Sequence, residues 1–412
     1  MGVMTIRSAP DRPRTDVAAT TSRRRGPHRL RWWLAGLAAL LLVVHAAGGW
    51  YFAGRIESQA LAATPGTMSP AHDDVRVTAV DGDRVTLARG VDAASNFEAV
   101  ASYGMAWDGG AGHIGPATVN ADGTVTRSLE VVTGVAPKPG AGAAVERAYF
   151  VADPSKELGL TLSEVTVAGM PAWWIAADAG AAGDAVAGTA AVFVHGQNGT
   201  RLDGLRFAEA AHRAGLPVLV ISYRNDAAAP ADPSGRLQYG ATEWRDLDAA
   251  VAWVQAHGAT RVVLAGQSMG GAVVAAFLEQ SDRRSAVSRI VLDCPMLSLD
   301  EVVAWGAREA LPGGVAVPET LLWSAERIAS LRYGIDWGAV DYLDDTRWLT
   351  VPALVTQGSA DPTVPPTIPT RLRDARPDLV TLVEFPGALH AESWNADRAR
   401  WDDAVGAFLD AS

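Results

Sequence analysis

Residues 262–272 read Val-Val-Leu-Ala-Gly-Gln-Ser-Met-Gly-Gly-Ala, an apolar β-branched run that passes through Gly-x-Ser-x-Gly into small residues. A strand that becomes a helix around one serine leaves few architectures open. The layout holds Ser268 on a strained strand-to-helix turn with its hydroxyl exposed. Gly266 and Gly270 supply the room that a tight turn and a closely approaching helix require. A serine is inert at its own pKa and turns nucleophilic only beside a base. The flanking strand and helix carry the weight, because the pentapeptide alone arises by chance in a glycine-rich chain.

The same alternation continues on both sides. From about residue 158, residues 160–167 and 172–176 read as a hairpin around Gly169. Strand-like runs follow at 190–194, 217–222, 261–265, 289–292, 352–356 and 380–385. Helical stretches lie between them at 205–214, 242–255 and 271–280; in the second, Trp244, Leu247, Val251 and Val254 keep to one face. Strand–helix alternation of this kind predicts an α/β domain with a mostly parallel sheet covered on both faces.

Three features converge on chemistry. The first is the serine turn. The second is the run Phe-Val-His-Gly-Gln-Asn-Gly at 193–199, at the end of an earlier strand, where a loop can aim a backbone N–H at a developing oxyanion. Gln197 and Met269, the latter following the serine, are the candidate donors. The third is the order Ser268, Asp361, His390, each just past a strand end. In that set Ser268 Oγ attacks an acyl carbon, His390 takes its proton, and Asp361 holds the imidazole tautomer. Asp293, also past a strand, is the reserve acid. His195 is expected to brace its own loop, and His113, His212 and His257 to pack or lie on the surface.

Residues 158–412 resemble the α/β-hydrolase family. Within it they are similar to the serine-aminopeptidase-like branch, which includes membrane-tethered esterases and thioesterases. The residues that carry the resemblance are His195-Gly196, the Gly266 to Gly270 turn, Gln-Gly-Ser-Ala-Asp-Pro-Thr-Val-Pro ending at Pro365, and Gly-Ala-Leu-His ending at His390. It implies a Ser–His–Asp hydrolase that needs no cofactor. Between Pro295 and Leu349 this fold often carries a cap, placed here at about 298–348. Ser298 and Glu301 form a capping box there, and Pro318-Glu319 opens a second helix. Trp305, Trp323, Tyr333, Trp337, Tyr342 and Trp348 suit either an apolar acyl pocket or the packing of the cap on the body.

The remainder of the chain is organised around a membrane. Residues 32–53 form an apolar run interrupted only by His45, with Trp32 and Trp33 at one end and Trp50, Tyr51 and Phe52 at the other. About 20 such residues span a bilayer core, and aromatic residues favour its interfaces. Residues 1–31 carry eight arginines against two aspartates, which predicts a disordered basic tail in the cytoplasm and a single-pass signal-anchor with the body outside. Cleavage near Ala46-Ala47-Gly48, giving a secreted protein, is the alternative. A linker is expected at 54–72 and a β-rich module at 73–157. In that module Val75, Val77, Val85 and Leu87 alternate about an Asp81-Gly82 turn, and residues 124–132 follow a turn at 120–123.

Charge and composition exclude several classes. With the tail removed, the body is more acidic than the whole-chain net charge of −11, which argues against nucleic acid. The single Cys294 excludes an intrachain disulfide. No H-E-x-x-H or H-x-x-x-H pair is present, so no metal site is expected. The expected substrate is a small-molecule or lipid acyl compound, cleaved at an ester or thioester. A peptidase or amidase of the same fold, and a catalytically silent binding module outside the cell, are the alternatives. Oligomeric state is not legible.

Overall fold

The computed structural model describes residues 1–2, 28–64, 74–90, 97–178, 187–311 and 313–410. Nearly all of the expected basic tail, and residues 65–72 of the expected linker, lie outside the described residues.

Helix α1 (His28–Ile56) contains the apolar run and is long and apolar enough to cross a membrane. Its side chains from Leu30 to Val44 are exposed. The last turns are covered by protein. Residues 57–64, expected to begin a linker, are instead built into the body. Glu57–Leu61 closes the helix with a π turn, and Leu61 is buried in the main core. The Leu61 carbonyl accepts from Leu237 N, and Ala62 pairs with Arg236 in an antiparallel bridge.

The next strands form an antiparallel sheet: β1 (Val75–Asp81), β2 (Arg84–Arg89), β3 (Tyr103–Trp107), β4 (Gly110–Ile114), β5 (Thr118–Val119), β6 (Val125–Gly134) and β7 (Gly142–Glu146). Their order is β2-β1-β7-β3-β4-β6-β5, and a β2–β6 pairing closes the sheet into a ring. The ring closes through β2 and β6, and the two-residue β5 pairs with β6 outside it. Val75, Val77, Val85, Leu87, Tyr103, Met105 and Ile114 fill the interior, so the alternation in the sequence is the inside–outside period of a small barrel. The β1–β2 turn is Gly82-Asp83, one residue later than expected, because Asp81 still pairs with Arg84.

After a short helix α2 (Pro154–Glu157) comes the larger sheet. Its strands are β8 (Leu162–Val167), β9 (Met170–Ile175), β10 (Thr189–Val194), β11 (Val218–Ile221), β12 (Arg261–Gln267), β13 (Val287–Asp293), β14 (Ala353–Gly358) and β15 (Val380–Phe385). The order is β15-β14-β13-β12-β10-β11-β9-β8. From β11 to β15 every pairing is parallel; β8 and β9 are antiparallel. Every residue of β10, β11 and β14 is buried, as a parallel sheet covered on both faces demands. Helices α3 (Leu205–Arg213), α4 (Trp244–Ala256) and α5 (Met269–Gln280) provide that cover.

Two helices, α6 (Leu299–Ala307) and α7 (Glu319–Tyr333), form the expected cap. Helices α8 (Thr367–Ala375), α9 (Ser393–Ala396) and α10 (Arg398–Asp410) complete the chain. Ser298 caps α6, accepting from Glu301 N at 3.4 Å. Only half of the expected capping box forms, because the Glu301 carboxylate turns to Arg371. Helix α7 lies along the end of α1. Gly49 makes this approach possible, since a Cβ there would stand 2.9 Å from Ile328 Cδ1 and 3.1 Å from Ser324 Cβ. His45 Nδ1 and Ser324 Oγ are hydrogen-bonded at 2.9 Å, and Arg332 donates to the Trp50 carbonyl.

Candidate active site

Ser268 sits between β12 and α5 with φ 51° and ψ −118°, a backbone conformation that non-glycine residues rarely adopt. Three main-chain hydrogen bonds hold it. Its N–H donates to the Asp293 carbonyl at 2.9 Å, while its own carbonyl accepts from Gly271 N and Met296 N. The expected glycines are required: a Cβ on Gly270 would lie 2.2 Å from the Val194 carbonyl oxygen, and one on Gly266 would lie 2.5 Å from the Gly270 oxygen.

The Ser268 hydroxyl lies 2.8 Å from His390 Nε2, and His390 Nδ1 lies 2.7 Å from Asp361 Oδ2. An ionised carboxylate only accepts, so Nδ1 carries the proton and Nε2 accepts from the serine. The other Asp361 oxygen accepts from Thr363 N at 2.7 Å and Val364 N at 2.8 Å, and Gln357 Nε2 donates to Oδ2 at 3.1 Å. This carboxylate is fixed in one orientation. The reserve acid, Asp293, instead accepts from Thr356 Oγ1 at 2.7 Å.

Met269 opens α5, so its N–H has no carbonyl partner one turn earlier in the helix. Gly196 packs against the serine: a Cβ there would stand 3.0 Å from Ser268 Cβ. This places the Gln197 loop beside the hydroxyl. His195 braces that loop, with Nδ1 against the Gly196 carbonyl and Nε2 2.8 Å from Asp226 Oδ2. Burial works against protonating this imidazole, yet the Asp226 carboxylate outweighs it and raises the pKa.

Several supports carry no local signature in the sequence. Gln197 Nε2 donates to the Gln59 carbonyl at 2.8 Å, and Asn198 Oδ1 accepts from Thr64 N at 2.9 Å. The Tyr239 hydroxyl donates to the Ala60 carbonyl and lies 3.3 Å from Gln197 Oε1. The chain leaving α1 therefore pins the loop that faces Ser268. The histidine loop is held from the other side. Arg206, fully buried, donates to the Ala391 carbonyl at 2.8 Å, and Ala391 N donates to Cys294 Sγ at 3.3 Å. The barrel reaches the same loop, because Tyr103 of β3 donates to Glu392 Oε2 at 2.6 Å.

Cys294, Asp361 and His390 each present a ligand atom within 4.8 Å of the others. A metal ion there would have to displace the Asp361–His390 hydrogen bond. It would also have to ionise a thiol whose pKa burial raises, with Asp293 and Asp361 adding to the effect. This donor set fits a hydrogen-bond network and does not fit a metal centre.

A cavity of ≈ 350 Å³ is bounded by Gln197, Met296, Pro362 and Thr363, of which Met296 N donates to the Ser268 carbonyl and Thr363 N to Asp361. Its apolar walls come from α6 and α7, including Val302, Val303, Ala307 and Leu322, and from Tyr51, Phe52 and Ile56 of α1. None of the six cap aromatics singled out from the sequence lines it. Trp323 is exposed on α7, and the rings that pack find partners for their polar edges: Trp337 Nε1 donates to the Glu326 carbonyl, Trp348 Nε1 to that of Tyr342, and the Tyr342 hydroxyl to that of Tyr239.

Comparison with known proteins matches parts of the two sheets to separate families. Residues 76–146 match a domain of unknown function (DUF8805), and residues 190–333 match the family described as alpha/beta hydrolase fold. No curated protein matches. Among solved structures, the chain is similar to the Pyrococcus furiosus esterase Pf2001 at 21% identity and TM-score 0.47, covering 63% of this chain and 95% of that one. It is also similar to the esterase RhEst1 from Rhodococcus sp. ECU1013 at 20% identity and TM-score 0.43, covering 61% and 99%. Residues 190–333, which hold the β12–α5 turn with Ser268, are the part of this chain that matches the α/β-hydrolase family.

Proposed function

We propose that this chain is a membrane-anchored serine hydrolase that cleaves carboxylic esters or thioesters through an acyl-enzyme. One observation carries the reading: the unbroken relay from Ser268 Oγ to His390 to Asp361, at 2.8 and 2.7 Å. In the first half-reaction the Oγ–acyl bond forms as Oγ passes its proton to His390 Nε2. The acyl–oxygen or acyl–sulfur bond then breaks, and His390 returns the proton to the departing alcohol or thiol. In the second, His390 deprotonates a water, whose oxygen bonds the acyl carbon. The Ser268–acyl bond breaks, Oγ regains its proton, and the carboxylic acid leaves. The backbone N–H groups of Gln197 and Met269 stabilise the oxyanion in both halves. Asp361 keeps the imidazole in the competent tautomer and stabilises the imidazolium.

Anchoring rests on the length and apolar character of α1 and its exposed surface, with the arginine-rich tail on the cytoplasmic side. The test is full-length protein exposed to a fluorophosphonate probe and to a short fluorogenic ester, wild type against Ser268→Ala. Labelling and turnover in the wild type alone support the reading. A cooperatively melting wild type that neither labels nor turns over ester overturns it in favour of a binding module.

A further inference from the structure

The cavity beside Ser268 is walled partly by the helix that reads as the membrane anchor. Tyr51, Phe52, Arg55 and Ile56 line it from α1, and Gln59 and Ala60 from the turn that follows. Arg55 is the only charged side chain among its lining residues, so the interior suits an uncharged chain. Along α1 the exposed apolar stretch ends at Val44, and Tyr51 lies seven residues on. At 1.5 Å per residue that is roughly 10 Å, the depth of an interfacial layer rather than of bulk water. Trp50 and Tyr51, still 58% and 59% exposed, are residues that settle at that level. The cap shares the location, since α7 runs against this end of α1 and leaves Trp323 and Leu331 exposed.

We infer that the substrate is an acyl ester of a membrane lipid, taken laterally from the adjoining leaflet, with its acyl chain held between α1 and the cap. The inference rests on the serine-hydrolase reading. It adds that α1 is a wall of the acyl site, so the anchor takes part in selecting the substrate. A chain entering at this level passes from hydrocarbon to apolar cavity, and its ester carbonyl comes to rest by Gln197, next to Ser268.

The test uses full-length protein in phosphatidylcholine vesicles and has two parts. In the first, a series of p-nitrophenyl esters from acetate to palmitate is assayed with wild type, Phe52→Ala and Gly306→Leu. Gly306 lines the cavity and a Cβ there meets no atom within 4 Å, so that variant adds bulk at the wall with room for its first carbon. The kcat/KM profile is expected to move toward longer chains in Phe52→Ala and toward shorter ones in Gly306→Leu. The long-to-short ratio should change about fifteenfold, as two methylene equivalents dictate. Fluorophosphonate labelling reports folding and an active serine in each variant. In the second, pyrene-labelled phosphatidylcholine and diacylglycerol are placed either in the enzyme's own vesicles or in separate ones. Cleavage of at least one of them, faster in the shared vesicles by about tenfold, is expected.

An unchanged profile in both variants that still label overturns the wall assignment and leaves the hydrolase reading standing. Equal rates from shared and separate vesicles, or no cleavage of either lipid by an enzyme that turns over the soluble esters, overturns lateral lipid uptake. A wild type with no labelling and no turnover overturns the parent reading and this one with it.

Discussion

Asp361→Asn reverses the imidazole tautomer, removes the negative charge beside it and sets the new NH₂ against Gln357 Nε2, which donated to Oδ2 at 3.1 Å. One carboxylate oxygen accepts from Thr363 N and Val364 N at 2.7 and 2.8 Å. In the variant, an amide NH₂ in that place would face two donors, so the amide oxygen must occupy it. The NH₂ is thereby forced toward His390 Nδ1, where the Asp361 oxygen stood at 2.7 Å. Facing a donor, Nδ1 becomes the acceptor and the proton moves to Nε2, which then cannot take a proton from Ser268. The same replacement in a serine-protease triad costs about 10⁴ in kcat, or roughly 5 kcal/mol of transition-state stabilisation. Shape and volume are retained, so folding should suffer by no more than about 1–2 kcal/mol. Turnover of a short fluorogenic ester, with thermal unfolding as control, measures both quantities. Asp293→Asn is the comparison, since its carboxylate bonds Thr356 rather than His390. Asp361→Asn retaining a tenth of wild-type kcat, or Asp293→Asn losing as much as Asp361→Asn, would refute the tautomer argument.

Two further outcomes are expected. Tyr103→Phe removes the buried hydroxyl that donates to Glu392 at 2.6 Å; stability should fall by about 1–3 kcal/mol, read from denaturant unfolding, and kcat should fall with it because Glu392 follows His390 by two residues. An unchanged kcat would mean the barrel stabilises the domain without positioning the histidine loop. The half-buried Glu326 of α7 has its pKa pushed up to about 7, by burial first and then by Asp300 of α6. A raised acid pKa means that between about 4.5 and 7 the folded state holds more protons than the unfolded one. Stability therefore declines as pH rises through that window, by about 1–2 kcal/mol after allowing for solvent screening. Glu326→Gln should flatten that part of the profile, measured as Tm against pH.

What the sequence discloses is what repeats locally. The run at 380–385 is β15 to the residue, and Arg261 opens β12 as expected, because a buried parallel strand is a short apolar block between turn residues. The serine turn announces itself through glycines that have no steric substitute at 266 and 270. Asp361 and His390 are legible from their loops and their order, and the structure brings both to Ser268. The illegible part consists of contacts between distant segments. Ile56 and Leu61 look like the frayed end of an anchor, yet one packs against α7 and the other enters the main core. Nothing near Tyr103 marks a carboxylate 289 residues away as its partner. The cap aromatics misdirect for a related reason. A tryptophan signals burial, and its ring can be buried by neighbours within the cap as readily as by a ligand.

The attachment of α1 to the cap and to the Gln197 loop also orders the birth of the site. The wall at Tyr51–Ile56 is among the first described parts of the chain to leave the ribosome, and its partners come late. Gln59 waits 138 residues for Gln197, His45 waits 279 for Ser324, and Trp50 waits 282 for Arg332. Closing loops of that length is slow and comes only after local structure has formed. A nascent chain that has emitted the whole serine turn still lacks the cap, the acid and the histidine. Tyr51 and Phe52 meanwhile have no cap helix against them. Assembly of the pocket therefore waits on contacts of long sequence separation, and a chain stalled before Arg332 holds Ser268 with neither His390 nor a chamber beside it.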